Sequence, residues 1–115
     1  MNVIVAGSRG FYNYDILRVT LDSILFNQEN VKIICGEARG ADALGKRYAK
    51  EHGIEVLSFP ANWDKYGKSA GYKRNREMAA IADSLVAFWD GSSKGTANMI
   101  DIMQRAGKPV KVVRY

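Results

Sequence analysis

Cysteine, proline and histidine are scarce in this chain of 115 residues, which has one cysteine, two prolines and one histidine. Cys35 has no partner for an intramolecular disulfide, so the disulfide framework of a small secreted domain is excluded. One cysteine and one histidine cannot supply the ligands of a zinc site within one chain, and we expect no metal. Because low-complexity tracts are also missing, we expect order nearly from end to end.

The sequence also lacks a long apolar run, and because it opens directly on the strand-like segment NVIVAG we expect no cleavable leader. We therefore expect a cytoplasmic protein that has no contact with membranes. A chain of this length fits one domain with a single core, and no linker rich in proline, glycine or serine divides it. We predict a single domain over residues 1–115.

Acidic residues are missing from one stretch of the chain, residues 65–76. The formal net charge is +5, and this stretch holds as much excess positive charge as the whole chain, in Lys65, Lys68, Lys73, Arg74 and Arg76. A solvated basic loop explains such a cluster, and an anion-binding site is the alternative. Because a nucleic-acid interface usually follows a longer stripe, the cluster by itself supports DNA or RNA binding only weakly.

Short apolar segments alternate with amphipathic segments along the chain. The apolar segments predict strands at residues 2–6, 31–35, 54–59, 84–89 and 110–114. Most of them are continuously apolar, which is typical of a parallel sheet that is buried on both faces. The amphipathic segments predict helices at about residues 15–26, 41–52, 70–81 and 96–106. In the first helix the expected apolar face consists of Ile16, Val19, Leu21, Ile24 and Leu25.

Five strands that alternate with four helices leave few topologies, because parallel crossovers are right-handed. We predict an α/β fold: a single Rossmann-like, doubly wound domain with a five-stranded parallel sheet of order 3-2-1-4-5 and helices on both faces. In this order the chain reverses direction between strands one and four, where a crevice opens at the carboxyl ends of the strands. The loops after strands one, two and four are therefore the candidate ligand-binding loops.

The loop after the first strand reads GSRG, residues 7–10. Gly7 permits a tight turn and the close approach of an anion, while Ser8 and Arg9 offer hydrogen-bond donors. The motifs G-x-G-x-x-G and G-x-x-x-x-G-K-[ST] are both absent, so neither a nicotinamide cofactor nor P-loop chemistry is supported, and we predict no cofactor. A plain strand-to-helix connection is the alternative explanation of this loop.

The loop after the second strand brackets Arg39 between two glycines, Gly36 and Gly40. Free amides at the start of the next helix would form an anion site, to which Arg39 would add a bidentate contact. Asp42 either complements the positive end of that helix or accepts a hydrogen bond from a ribose hydroxyl. Glu37 lies inside this predicted anion site, where it would repel the wrong phosphates or bind a ribose or base.

The loop after the fourth strand, DGSSKGT at residues 90–96, is a third glycine-rich turn that opens a helix. Thr96 is placed to cap the helix or to donate to a phosphate, Lys94 adds charge, and Asp90 would lie near the sugar. The convergence of three such loops favours a phosphorylated ligand. With two arginines of the basic stretch, the predicted ligand contacts are Gly7, Ser8, Arg9, Gly36, Glu37, Arg39, Gly40, Asp42, Arg74, Arg76, Asp90, Gly91, Lys94, Gly95 and Thr96.

Five segments in order carry a resemblance to a known family: GSRGF, GEARGADALGKRYAKEHGI, FPANWDKYGKSAGYKRNREM, ADSLVAFWDGSSKGT and GKPVKVV. Together they cover nearly the whole chain and resemble the SLOG superfamily, specifically its small YspA/YpsA-related family of bacteria and their phages. The resemblance implies a Rossmann-like fold, homo-oligomers, and binding of a nucleotide or a nucleotide-derived signalling ligand. It implies no established reaction, and we expect a sensor or a sequestering protein.

The LOG phosphoribohydrolases, distant relatives in this superfamily, imply an alternative enzymatic function. They carry R-K-x-x-M before the fourth strand and P-G-G-x-G-T-x-x-E after it, and four residues here match these patterns: Arg74, Met78, Gly95 and Thr96. The position of the catalytic glutamate is Met99, whose thioether is neither a general base nor a stabiliser of positive charge. The substitution favours a binding protein over a nucleoside-monophosphate phosphoribohydrolase, and we predict no catalytic residue.

The DNA-processing protein DprA, a second distant relative, implies single-stranded nucleic acid as another alternative. Its glycine-arginine segment is similar to GEARGAD and helps to hold the strand. The basic stretch would suit backbone contacts here, and bases could stack on Tyr12, Tyr14, Tyr66 or Tyr72. However, we expect a single domain here, which would leave no second domain to extend the groove. Trp63 either anchors the connection after the third strand or covers a nucleobase.

Overall fold

The computed structural model describes residues 1–115 and assembles five strands into one parallel sheet of order β3-β2-β1-β4-β5. The strands are β1 (Asn2–Gly7), β2 (Lys32–Cys35), β3 (Glu55–Ser58), β4 (Ser84–Trp89) and β5 (Val110–Arg114). The helices are α1 (Tyr14–Leu25), α2 (Ala41–Glu51), α3 (Trp63–Tyr66), α4 (Ala70–Ile81) and α5 (Lys94–Arg105). The predicted α/β fold and its strand order are confirmed.

The alternation of side chains along β1 divides the core into two layers. Val3 and Val5 pack with residues of α1 and α2 on one face of the sheet, while Ile4 packs with residues of α4 and α5 on the other. All three side chains are fully buried, and burial of such a side chain stabilises the fold by about 1.5–3 kcal/mol. Burial on both faces explains why β1 is continuously apolar from Val3 to Ala6.

Helix α1 turns a different face to the core from the one that its sequence predicts. Leu17 and Leu21 are buried, whereas Ile16 and Val19 are exposed. The prediction was therefore wrong for Ile16 and Val19. Because apolar residues lie on two sides of this helix, its pattern allows two orientations, and packing against the sheet and α2 selects the one that buries Leu17 and Leu21.

The connection between β3 and α4 contains α3 and a 3₁₀ turn at Gly67–Ser69, neither of which the sequence pattern predicts. The side chain of Asn62 caps α3 by accepting a hydrogen bond from the backbone N–H of Lys65 (3.1 Å). The hydroxyl of Ser69 donates to the carbonyl oxygen of Tyr66 (2.8 Å). These local bonds hold the connection beside α4.

None of the helices has the length and apolar character that crossing a membrane requires.

Candidate ligand-binding site

A cavity of about 510 Å³ lies at the carboxyl ends of β1 and β4, where the strand order reverses. Crevices of doubly wound sheets form at this position, and small-molecule sites typically occupy roughly 300–1,000 Å³. The walls come from the loops after β1 and β4, from α4 and from the first turn of α5. The predicted contacts that line the cavity are Gly7, Ser8, Arg9, Asp42, Arg74, Asp90, Gly95 and Thr96.

The remaining predicted contacts lie outside the lining: Gly36, Glu37, Arg39, Gly40, Arg76, Gly91 and Lys94. Arg39 is exposed, and the β2–α2 loop reaches the cavity only through Ala38 and, at the start of α2, Asp42. The loops after β1 and β4 thus contribute more residues to the cavity wall than the loop after β2 does. Arg39, which was predicted to make a bidentate contact with the anion, does not line the cavity.

Asp42 explains why the β2–α2 loop offers few donors to the cavity. Its side chain is buried, and its Oδ2 accepts hydrogen bonds from the backbone N–H groups of Gly36 (3.1 Å) and Ala38 (3.2 Å). Both amides are therefore already paired within the loop. Burial raises the pKa of Asp42, and the two amide hydrogen bonds and the charge of Arg74 oppose that rise. The geometry gives Oδ2 of Asp42 a bracing role within the loop.

Gly40 forms the contact between the β1–α1 and β2–α2 loops. Its φ is +74°, and a Cβ atom at this position would collide with the carbonyl oxygens of Ser8 and Arg9. Glycine is therefore required here both for the backbone conformation and for the close approach of the two loops. Gly40 helps to shape the rim of the crevice without lining it.

Glu37 and Gly91 are likewise engaged outside the cavity. The carboxylate of Glu37 pairs with the ammonium of Lys46, and this hydrogen bond lowers the pKa of Glu37. Gly91 has a φ of +88°, and a Cβ atom there would lie 2.8 Å from Cζ of Arg114. The structure thus gives both residues local structural contacts, whereas sequence reasoning placed them at the ligand.

Arg74 of α4 connects the cavity wall to the β2–α2 loop. Its Nη1 donates to the carbonyl oxygen of Gly36, and its Nε donates to Oδ1 of Asn75 (3.2 Å). A Cβ atom on Gly36 would lie 2.8 Å from Cζ of Arg74, so glycine is what allows the guanidinium to approach. A guanidinium has five N–H donors, and Arg74 forms no salt bridge. Its positive charge is therefore available to an anion in the cavity.

Asn75 is a cavity residue that sequence reasoning missed. Its side chain is buried, and its Nδ2 donates to the carbonyl oxygen of Gly95 (3.1 Å) and to Oδ1 of Asn98 (3.0 Å). Together with the bond that it accepts from Arg74, these bonds join α4 to the first turn of α5. A buried asparagine within a helical pattern carries no sequence signal for its partners, because periodicity reports burial alone.

The first turn of α5 faces the cavity through Gly95 and Thr96. The amides in the first turn of any helix have no intrahelical acceptors. In α5 no side chain caps them either. The hydroxyls of Ser93 and Thr96 lie 3.2 Å apart, and in such a pair one hydroxyl donates while the other keeps its own proton. Free amides, a spare hydroxyl proton and the positive end of the helix dipole favour an anion at this point.

Ser8 joins the loops after β1 and β4. Its Oγ accepts a hydrogen bond from the backbone N–H of Asp90 (3.2 Å), and its own N–H donates to the carbonyl oxygen of Phe88 (2.9 Å). The Oδ1 atom of Asp90 accepts from the amides of Ser92 and Ser93 (2.8 Å each), and these bonds lower the pKa of Asp90. The turn before α5 is therefore held in one conformation.

Aromatic rings stand at the mouth of the cavity, and methionines form its floor. Trp63 and Tyr72 line the cavity yet remain 53% and 41% exposed, which places them at its opening, and Lys68 lines it as well. Met78 and Met99 line it from buried positions. Sequence reasoning weighed Trp63 as a base-covering residue and named Lys68 within the basic stretch, but it did not place Lys68 among the ligand contacts.

The comparisons with known proteins agree with the resemblance seen in the sequence. A family model described as the YspA, cpYpsA-related SLOG family matches residues 1–66. The chain is similar to the "Gene 61 protein" of Mycobacterium phage D29, with 35% identity over 115 residues that cover 94% of this chain and 92% of the phage protein. No solved structure matches the chain. With its sheet order and these two matches, the chain belongs to the YspA, cpYpsA-related SLOG family.

Proposed function

We propose that this protein binds a nucleotide or a nucleotide-derived signalling ligand in the cavity over β1 and β4, as a sensor or a sequestering protein. The observation that carries the proposal is the uncapped first turn of α5, which faces the cavity beside the buried hydroxyls of Ser8 and Thr96. A helix N-terminus of this kind binds phosphate through its amides and its dipole. Membership of a SLOG family supports a nucleotide-related function.

The charges and rings around the cavity suit the other parts of such a ligand. Three cations line it without a salt bridge to any carboxylate: Arg9, Lys68 and Arg74. Trp63 and Tyr72 line the mouth and are partly exposed, and a nucleobase would stack on such rings. We place the phosphate at the first turn of α5 and the base at the mouth.

Binding is a better proposal than turnover because the cavity is lined by Met99 at the position where the LOG enzymes carry their catalytic glutamate. Asp42 and Asp90 each use an oxygen to accept two backbone hydrogen bonds, and Met99 contributes a thioether, which cannot act as a general base. The output of a sensor would then be a change in a homo-oligomer, contact with a partner, or removal of free ligand. Sequestration would require only that the protein bind the ligand, without any reaction.

Thermal unfolding with a ligand panel tests the proposal. The panel consists of nucleoside monophosphates and diphosphates, ADP-ribose derivatives and cyclic oligonucleotides. At least one of them should raise the Tm, because a ligand present at 100 times its Kd stabilises the folded state by about 2.7 kcal/mol. The absence of a shift across the panel would contradict the proposal.

The substitutions Gly95→Glu and Gly95→Gln locate the phosphate. A Cβ atom at Gly95 meets nothing within 4 Å, and an acidic side chain in the first turn of a helix is favourable to folding. Both variants should therefore fold, but only the glutamate places a negative charge beside a bound anion. We expect the ligand-induced Tm shift to disappear in Gly95→Glu and to persist in Gly95→Gln. An equal loss in both variants would argue for steric exclusion alone.

The phosphoribohydrolase alternative has its own assay. Incubation with each nucleoside monophosphate, followed by chromatography, would reveal any free base. We expect the nucleotides to remain intact. Release of free base would replace the proposal of binding with one of turnover.

A further inference from the structure

We infer that the ligand carries a second anionic group outside the cavity, as in a dinucleotide, and that this group binds the surface of α3 and α4. The inference rests on the proposed function and specifies its ligand class. The surface adjoins the mouth of the cavity and is called the basic rim here; it consists of Lys65, Tyr66, Lys73 and Arg76.

The cations of the basic rim form no salt bridges, in contrast to Arg18, Lys46 and Arg47 on the opposite face of the sheet. In α1 and α2 and the loop before α2, three ion pairs neutralise the surface: Arg18–Asp22, Lys46–Glu37 and Arg47–Glu51. No cation of residues 65–76 forms a salt bridge, although Asp64 and Glu77 flank that stretch. Unpaired charge of one sign concentrated on one surface attracts an anion.

Two of these cations share one aromatic ring. The ammonium groups of Lys65 and Lys73 lie 5.2 Å and 4.6 Å from the centroid of the Tyr66 ring. Like charges held at a single ring repel each other, and a phosphate bound near both ammonium groups would relieve this repulsion. Tyr66 therefore keeps two positive charges outside the cavity that an anion can neutralise.

The basic rim is continuous with the mouth of the cavity. Trp63 lines the mouth and lies in α3 three residues before Tyr66 of the rim, a spacing that puts the two side chains on neighbouring positions of that helix. A nucleotide whose phosphate lies at α5 and whose base stacks at the mouth would thus direct a second phosphate toward the rim. Because the rim is confined to residues 65–76, it suits one or two phosphates better than the backbone of a long strand.

Calorimetric titration of the full chain compares ligands that do and do not reach the rim. The probes are the four ribonucleoside 5′-monophosphates, the four 5′-phosphorylated homodinucleotides and a 20-nucleotide single-stranded DNA. We expect a dinucleotide to bind about tenfold more tightly than its monophosphate, since one additional stacked base or ionic contact has an effect of this size. The affinity of the dinucleotide should also fall more steeply with salt.

A charge-matched pair of double variants assigns the gain to the rim. Lys65→Gln with Lys73→Gln removes the ammonium pair, whereas Lys50→Gln with Lys111→Gln removes two exposed cations that neither line the cavity nor form salt bridges. Both double variants have the same net charge. We expect the rim variant to bind dinucleotide and monophosphate equally, and the control to keep the tenfold preference.

The possible outcomes separate this inference from the proposed function. Equal binding of monophosphates and dinucleotides by the wild type would overturn the inference and leave the proposed function standing. A gain that survives in the rim variant would also overturn it. Binding of the 20-nucleotide strand well above that of every dinucleotide would replace it with strand binding. If no probe and no member of the nucleotide panel binds, both the proposed function and the inference fail.

Discussion

The guanidinium of Arg74 donates a hydrogen bond to the carbonyl oxygen of Gly36, a residue that lies 38 positions earlier in the chain. The same guanidinium binds Asn75, which in turn binds the carbonyl oxygen of Gly95. A continuous set of hydrogen bonds therefore joins the β2–α2 loop, α4 and the first turn of α5. Changes at any of these residues should alter both the stability of the fold and the shape of the cavity.

Substitution of Gly36 by alanine should displace Arg74. The new Cβ atom would lie 2.8 Å from Cζ of the guanidinium, and the partly buried hydrogen bond between these residues would break. We expect the free energy of unfolding, measured in urea, to fall by about 1–3 kcal/mol, and the ligand-induced Tm shift to shrink. Gly10→Ala is the control, because a Cβ atom at Gly10 meets nothing within 4 Å. Equal stability of the two variants would contradict this reading.

Arg74 should contribute more to ligand binding than Arg39. Arg74 lines the cavity and Arg39 does not. The substitutions Arg74→Lys and Arg39→Lys both keep the positive charge, but only the first removes a guanidinium from the cavity wall. A lysine cannot reproduce the planar donor fork of Arg74. We expect ligand affinity to fall about tenfold in Arg74→Lys, the effect of losing one charge-assisted contact, and to stay within about twofold in Arg39→Lys. The reverse order would show that the β2–α2 loop closes over the ligand.

The burial of Asp42 should make stability depend on pH. Burial raises its pKa in the folded state above the ordinary value of 3.8, so the folded protein binds the proton more tightly than the unfolded chain. The stabilisation from Asp42 is therefore complete below pH 3.8 and is lost as the pH rises through the raised folded pKa.

Asp42→Asn isolates this effect, because its amide oxygen can accept the same two backbone hydrogen bonds but cannot titrate. In urea unfolding between about pH 4 and pH 7, we expect the variant to gain stability relative to the wild type as the pH rises. A difference that is independent of pH would rule out Asp42 as the titrating group. Asp42→Ala should be less stable at every pH, since it leaves the amides of Gly36 and Ala38 unpaired.

Trp63 should report directly on a bound base. The chain has two tryptophans, and Trp89 does not line the cavity; its Nε1 donates instead to the carbonyl oxygen of Ser93 (3.0 Å). In Trp89→Phe, fluorescence comes from Trp63 alone, and a stacking base should quench it. Trp63→Ala should weaken binding by about 1–3 kcal/mol. Binding without quenching would place the base elsewhere.

The hydrophobic pattern predicted the strands well because the central strands, which are buried on both faces, carry continuous apolar runs from Val3 to Ala6 and from Leu85 to Trp89. The predicted segment at residues 84–89 coincides with β4, and that at residues 70–81 coincides with α4. The pattern was insufficient for α3, since four residues contain too little of the helical period to be recognised. It was ambiguous for α1, where Ile16 and Val19 form a second apolar side that remains exposed.

The candidate site was predictable where topology alone determines position. Gly7, Ser8, Gly95 and Thr96 follow β1 and β4, and the loops after these strands must meet at the reversal of strand order. Asn75 was not predictable, because its role depends on the carbonyl oxygen of Gly95, which is distant in sequence.

The sequence by itself determined the α/β class and the order of strands and helices. It also indicated the edge of the sheet at which the candidate loops meet. Both follow from the local pattern of the chain, because that pattern reports burial and chain direction. Only the tertiary structure decided which donors remain free for a ligand. The amides of Gly36 and Ala38 are taken by Asp42, whereas the first turn of α5 stays uncapped. A glycine-rich loop looks the same in sequence in both cases, since a hydrogen bond forms only when folding brings donor and acceptor to about 3 Å.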